Sequence, residues 1–486
     1  MRPRFGPLQA EVPGSALRIM AFILAGATGL GSQAARPVAI TEEALGEPVV
    51  GVRLARIVRM DDYLLSRRIE RRGSGWVVHA PSGDLLVPVL GAAWLSPGGR
   101  RLVLEVRRPQ RFMVEDGREL GPYDDVSDPV FSADGRRMAF YARKGKAWRM
   151  VLDGEEGLEF PGQPHGDTAV QSVRLAENMA FSGDGKHFAF VRFLKPGREQ
   201  LVVDGVDWPE SQDLWRRPIR FSDDGRHAAI AGIWPGFLSG TWVQVDGKEA
   251  GRFERVFGYD FIPGTARVAA LGLSLDGRSF ASIGLPVASL AEPGRRFTAY
   301  EKIGQARVTP WTEGPFFSAD GGHFVYLLAD GDQADLYVDG RSVIHTKEFS
   351  LGSISLSRDG KRLVASAHER RGERSWILDL TLGPDPATGR WAVLGRRDHA
   401  VSGEVTTLVL SPDGKHLACR NFRRTGKTQE WRMLLDGQEG PPYTYVPDES
   451  RWEAGGGLLY VARRGPQAFQ VTQKPPEAEA WTALPK

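Results

Sequence analysis

The sequence predicts an all-β protein, a single β-propeller of four-stranded antiparallel blades. Eight blades are expected, seven to nine are admissible, and circular closure is expected to join the termini in one blade. Three observations predict this. A Ser-x-Asp-Gly-basic motif recurs with a period in the forties, which marks a solenoid or propeller. A second Asp-Gly closes most units, and Asp-Gly between two extended apolar runs is a hairpin signal. No segment shows a helical period, and 58 glycines and 32 prolines punctuate the 486 residues.

The motif copies begin with "LSPGGRRLVLEV" at Ser96 and "FSADGRRMAFYA" at Ser132. Further copies start at Ser182, Ser222, Ser318, Ser357 and Ser411. "LSLDGRSFASIG" at Ser274 also fits, with "FIPGTARVAALG" just before it as a degenerate competitor for the same unit. A weak last copy is "EAGGGLLYVARRG". The first-turn pairs are Asp134-Gly135, Asp184-Gly185, Asp224-Gly225, Asp320-Gly321, Asp359-Gly360 and Asp413-Gly414. Type I′ geometry, with positive φ at both central residues, is expected for such turns. Runs such as "RMAFYA", "HFAFVR" and "RLVLEV" then read as strands covered on both faces.

A polar linker such as 143–147 leads to a third strand ending at the second pair. These pairs are Asp153-Gly154, Asp204-Gly205, Asp246-Gly247, Asp339-Gly340 and Asp436-Gly437. The segment beyond such a third strand, for example "RELGPYDDV" (118–126), supplies a fourth. Four short strands per unit describe propeller blades, and radial closure removes long exposed edges. A right-handed β-helix would show shorter, steadier coils and has no use for paired Asp-Gly hairpins. At the ends, "GWVVHAPSGDLLVPV" (75–89) reads as a third-and-fourth-strand hairpin without a first pair. The C-terminal "GLLYVARRGPQAFQV" reads as its missing partner.

Arg18 precedes an apolar run, Ile19 to Leu30, followed by small residues with Ser32 and Ala34 placed for cleavage. This is the layout of a secretory signal peptide, too short to span a bilayer comfortably. The expected organisation is a signal peptide over 1–34, a linker over 35–48 and the propeller over 49–486, in an exported protein, periplasmic or secreted. A non-functional leader would leave it cytoplasmic. The formal net charge is +3, and Arg2, Arg4 and Arg18 against Glu11 place +2 of it in the leader. A body that near neutrality lacks the footprint of a nucleic-acid binder, so no nucleic-acid partner is expected. Cys419 is the only cysteine, which excludes an internal disulfide and a cysteine metal site.

The Ser-x-Asp-Gly-Lys/Arg-x-x-apolar pattern resembles the TolB-like, WD-type propeller repeats of bacterial periplasmic and exported proteins. The resemblance covers roughly 95–461 and is specific for fold, not for function. It implies blades of the kind that serve as protein-docking scaffolds or stand beside the catalytic domains of prolyl-type oligopeptidases. The second Asp-Gly, as in "VDGKEAG" and "LDGQEGPPY", departs from the commonest TolB-like wording, so identity with TolB itself does not follow.

Apparent chemistry dissolves into the repeat. His187, His227, His323 and His416 share one slot, two residues after the first-turn glycine, and read as a strand-start preference rather than metal ligands. No His-x-x-x-His or HExxH spacing exists. The first-turn aspartates are what the turn requires. Asp330, Asp332 and Asp335 lack the ordered oxygen run and distal Glu of a calcium loop. The sialidase-type Asp box has one more residue between its Asp and Gly. No Gly-x-Ser-x-Gly elbow is present. Arg-rich stretches at 67–73 and 420–427 read as solvated loops, with an anionic partner the sharper alternative. The 13 tryptophans offer interface anchors, but most should pack between blades.

No catalytic, cofactor-binding or metal residue is therefore assigned. The expected function is non-enzymatic: a scaffold binding a protein or cell-envelope component through one face or the central channel. It is expected to be a monomer, without an integral span after leader removal. The alternative is a lyase or hydrolase acting on a glycan or peptide at the channel mouth, with groups drawn from different blades.

Overall fold

The structure, a computed structural model, describes residues 40–46 and most of 68–483. The longest stretches outside it are 1–39, 47–67, 162–177 and 284–300. The expected leader thus lies outside the described residues. Among the described residues every regular element is a strand.

Nine antiparallel sheets repeat one plan and form the blades of the propeller, one more than the eight expected. Blades 1 to 9 occupy 90–123, 125–160, 179–207, 220–253, 255–283, 311–346, 349–401, 404–439 and 450–473. In blade 4, for example, Arg220–Phe221 is the inner strand. Ala228–Ile233, Thr241–Val245 and Lys248–Phe253 succeed it outward in order.

Two details correct the expectations from sequence. The fifth blade is opened by the degenerate "FIPGTARVAALG": its turn joins Arg255–Phe261 to Val268–Leu273. Gly264 supplies the positive φ of 70° there, and Thr265 N–H donates to the Ile262 carbonyl at 3.1 Å. Ser274 instead comes after the second strand and lies outside the described residues. Pairing decides which copy makes the turn, and Val256, Tyr259, Phe261 and Val268 are all buried.

The closure is also different in detail. The C-terminal hairpin, Leu458–Arg464 with Gln467–Gln473, takes its outer strand from Ile40–Gly46. That strand lies within the stretch read as a linker. The 75–89 hairpin instead joins Ile69–Arg72 in a three-stranded meander. The meander packs Ile69, Val78 and Val87 against Leu102, Leu104 and Val106 of blade 1. Glu42 fastens the closing strand by accepting from the Tyr443 hydroxyl at 2.6 Å and pairing with Arg464 at 2.9 Å.

The core is a series of layers between blades. Second-strand residues such as Phe140, Tyr141, Ala231, Leu271 and Val364 are fully buried. Full burial of one such large apolar side chain contributes about 1.5–3 kcal/mol. Tyr141 also donates its hydroxyl to the Val191 carbonyl of the next blade at 2.6 Å.

Candidate functional site

The described motif turns, at Ser132, Ser182, Ser222, Ser318, Ser357 and Ser411, lie on one face. In each, the first strand ends at serine and a β-turn comes next: Gly135 N–H donates to the Ser132 carbonyl at 2.9 Å. Only the glycine has positive φ, 67–72° at Gly135, Gly185, Gly225, Gly321, Gly360 and Gly414. The first turn is therefore a type I turn with a left-handed glycine after it, not the expected type I′. Asp134, Asp184, Asp224, Asp320, Asp359 and Asp413 keep ordinary φ and act through their side chains instead. In blade 2 the buried Ser132 hydroxyl donates to Asp134 Oδ1 at 2.6 Å and accepts from Arg137 N–H at 2.9 Å. Asp134 Oδ1 in turn accepts from Arg136 N–H at 3.0 Å. The serine hydroxyl and then this amide hold the Asp134 carboxyl below its ordinary range. The same serine contact lowers Asp184, Asp224, Asp320, Asp359 and Asp413.

The second pairs adopt type I′ geometry. Asp153, Asp204, Asp246, Asp339 and Asp436 have φ of 47–52°, and Gly154, Gly205, Gly247, Gly340 and Gly437 have 74–85°. Each aspartate reaches back to the second strand. Asp204 Oδ1 accepts from Phe188 N–H at 2.9 Å, and Oδ2 meets His187 Nδ1 at 2.6 Å. His227–Asp246, His323–Asp339 and His416–Asp436 repeat that contact at 2.7, 2.8 and 2.7 Å. The histidine slot thus has a partner that one-dimensional reading missed: the aspartate of the second turn. Arginine in the same slot does more. Arg137 binds Asp153 at 2.9 Å and donates to the Gly185 and Lys186 carbonyls of the next blade at 3.1 and 2.9 Å. Arg362 does likewise with Asp379, Gly414 and Lys415.

The opposite face carries the hairpins between second and third strands and the links to the next blade. Here the copies differ. Inner strands bulge near this end at Leu90/Ala92, Val256/Gly258, Glu313/Phe316, Leu351/Ile354 and Val405/Thr407. Bulges re-aim side chains and are common at barrel rims and sites. At Gly91 a Cβ would lie 2.7 Å from Glu105 and Arg107. The missing side chain makes room for buried Glu105, which pairs with Arg107 at 2.9 Å and Arg111 at 3.0 Å. In blade 7, His368 Nδ1 meets Ser375 Oγ at 2.9 Å, and burial lowers the imidazole pKa. In blade 8, Arg420 stacks over Trp431 and donates to the Val446 carbonyl of the link to blade 9 at 2.9 Å. Back at the turn-face end of the inner strands, just before the Ser222 and Ile262 turns, Arg220 faces Asp260 at 3.8 Å, and burial raises the Asp260 pKa.

The remaining sequence candidates are separated. Asp335 is buried and bonded to His345 at 2.6 Å, while Asp330 ends the preceding strand and Asp332 lies outside the described residues. Cys419 is buried, and burial pushes its thiol up to about 12. Among the described residues no group of three or more His, Cys, Asp or Glu is arranged to hold a metal ion. No helix among them is long and apolar enough to cross a membrane.

No family model and no curated protein matches the chain. Solved structures similar to it include the eukaryotic initiation factor, at 12% identity over 84% of this chain and 100% of that one, TM-score 0.41. The Cps50 (Swd1) β-propeller domain of Myceliophteria thermophila matches at 12% identity, 60% and 95% coverage and TM-score 0.30. Oligogalacturonate lyase of Vibrio parahaemolyticus matches at 10%, 80% and 98%, TM-score 0.32. The likeness is one of fold alone.

Proposed function

We propose that this chain is a non-enzymatic, TolB-like exported propeller that binds a cell-envelope component through the hairpin face. One observation carries the reading. The repeated polar groups of the turn face satisfy one another, as at Ser132, Asp134, Arg137 and Asp153. The equivalent positions at the other end of the strands range from Arg107 and Arg143 to Phe193, Ile233 and His368. A photo-crosslinking residue at exposed Gly145 (hairpin face) or exposed Gly183 (turn face) tests it in envelope extracts. Reproducible adducts from position 145 and none from 183 are expected; adducts from 183 alone contradict it.

The enzymatic alternative has the Arg220–Asp260 pair in its favour, because a carboxyl with a raised pKa beside a guanidinium suits acid–base work. Turnover of a glycan or peptide by the wild type, abolished in Asp260→Asn, would replace the scaffold reading.

A further inference from the structure

We infer that the hairpin face is a docking surface for an anionic lipid bilayer; the inference rests on the binding role proposed above and gives it a face and a chemistry. Successive motif turns touch one another. A Cβ at Gly185 would lie 3.2 Å from Ser132, one at Gly225 3.0 Å from Ser182, and one at Gly414 3.0 Å from Ser357. All blades therefore point the same way, and antiparallel pairing puts every second-to-third-strand hairpin at the other end. Those hairpins are rich in cations in blades 1, 2, 3, 8 and 9, as in "RKGK" (143–146) and "RRTGK" (423–427). Their counterpart in blade 6, "ADGDQ" (329–333), is acidic.

Part of this charge is neutralised locally. Glu156 takes Lys144 and Arg149, Asp207 takes Arg192, and Glu439 takes Arg423. Lys146, Lys195 and Arg424 are exposed and form no ion pair among the described residues. The aspartates of the second turns sit at the far end of the same strands.

Two features favour a bilayer over other polyanions. Hairpin tips that share one end of parallel-stacked blades meet a flat surface together, and each cation near an anionic membrane adds attraction. Among the described residues, the exposed large apolar side chains, Leu158, Val206, Leu394 and Tyr445, lie on outer strands or a blade link, not on these tips. The described tips therefore present neither the aromatic stacking platforms of a single-strand binder nor the aromatic anchors of a protein interface.

The test is sedimentation of the full chain with phosphatidylglycerol–phosphatidylcholine vesicles and with pure phosphatidylcholine vesicles. Binding to the anionic vesicles alone, weakened by salt, is expected. Lys146→Gln/Lys195→Gln/Arg424→Gln should reduce partitioning on the order of a hundredfold with the thermal midpoint unchanged. The variant keeps the apolar leader, so the difference reports the hairpins. Equal binding to both vesicles, an unaffected variant, or tighter binding to single-stranded DNA than to anionic vesicles would overturn the inference. Crosslinking from position 145 to an envelope protein, without vesicle binding, would sink the bilayer while leaving the binding role standing.

Discussion

The two faces of this propeller are made from the same strands and obey opposite rules. On the turn face one solution recurs from blade to blade: serine to aspartate at 2.5–2.7 Å, glycine left-handed, second aspartate folded back. On the hairpin face the equivalent positions hold Arg107, Arg143, Phe193, Ile233, His368 and Phe422. Uniformity marks what every blade needs in order to stand beside its neighbour. Variation marks freedom from that duty.

Even the turn face has a graded version of the contrast. Arginine-slotted blades 2 and 7 clamp the next blade's turn, whereas His187 and His227 bond to the aspartate of their own blade. His323 compensates by stacking on Trp391 of blade 7 at 3.7 Å.

Substitutions can break this comparison, and the largest effect is expected at Asp379. Its side chain is 2% exposed and holds Arg362 and His399, so Asp379→Ala leaves buried charge unpaired. A loss of about 3–5 kcal/mol is expected from urea unfolding. The same residue sets a pH limit. Burial alone would raise its pKa, but His399 and Arg362 lower it from 3.8 to about 2. A depressed folded-state value gives stability that is present above pH 3.8 and lost as pH falls towards 2. Asp379→Asn should flatten that part of the acid limb in a pH series of thermal midpoints.

Ser182→Ala comes next. It removes the donor to Asp184 at 2.6 Å and the acceptor of His187 N–H at 3.0 Å, for about 1–3 kcal/mol. Arg137→His should cost about 1 kcal/mol, since it keeps the aspartate contact and loses the clamp on blade 3. Substitutions on the hairpin face should be smallest: Lys195→Gln is expected within about 0.5 kcal/mol of wild type by the same unfolding measurement. A larger loss there would erase the distinction between the faces.

Much of the architecture is legible in the sequence because it is local. Asp153-Gly154 demands positive φ at both residues, and the type I′ turn results. Ser132-Ala133-Asp134-Gly135 contains the same dipeptide, yet the serine hydroxyl captures the aspartate and only the glycine turns left-handed. Dipeptide identity alone does not separate these cases; the serine two residues earlier does. What stays hidden is set by distant pairing. Ile40–Gly46 closes the last blade from more than four hundred residues away, with nothing in "ITEEALG" to announce it. The bulge at Gly91 depends on Glu105 across the strand, and the His187 slot makes sense only beside Asp204. For the hairpin face, the cationic runs are visible in the sequence, but their placement on one face comes only from the strand order.

The most direct test of the separation is a matched pair of triple variants in one chain, Ser132→Ala/Ser182→Ala/Ser222→Ala and Lys146→Gln/Lys195→Gln/Arg424→Gln, compared by urea unfolding midpoint. A marked fall for the serine triple and a wild-type midpoint for the cation triple are predicted. Equal falls in both, or a fall only in the cation triple, would contradict the assignment of stability to the turn face.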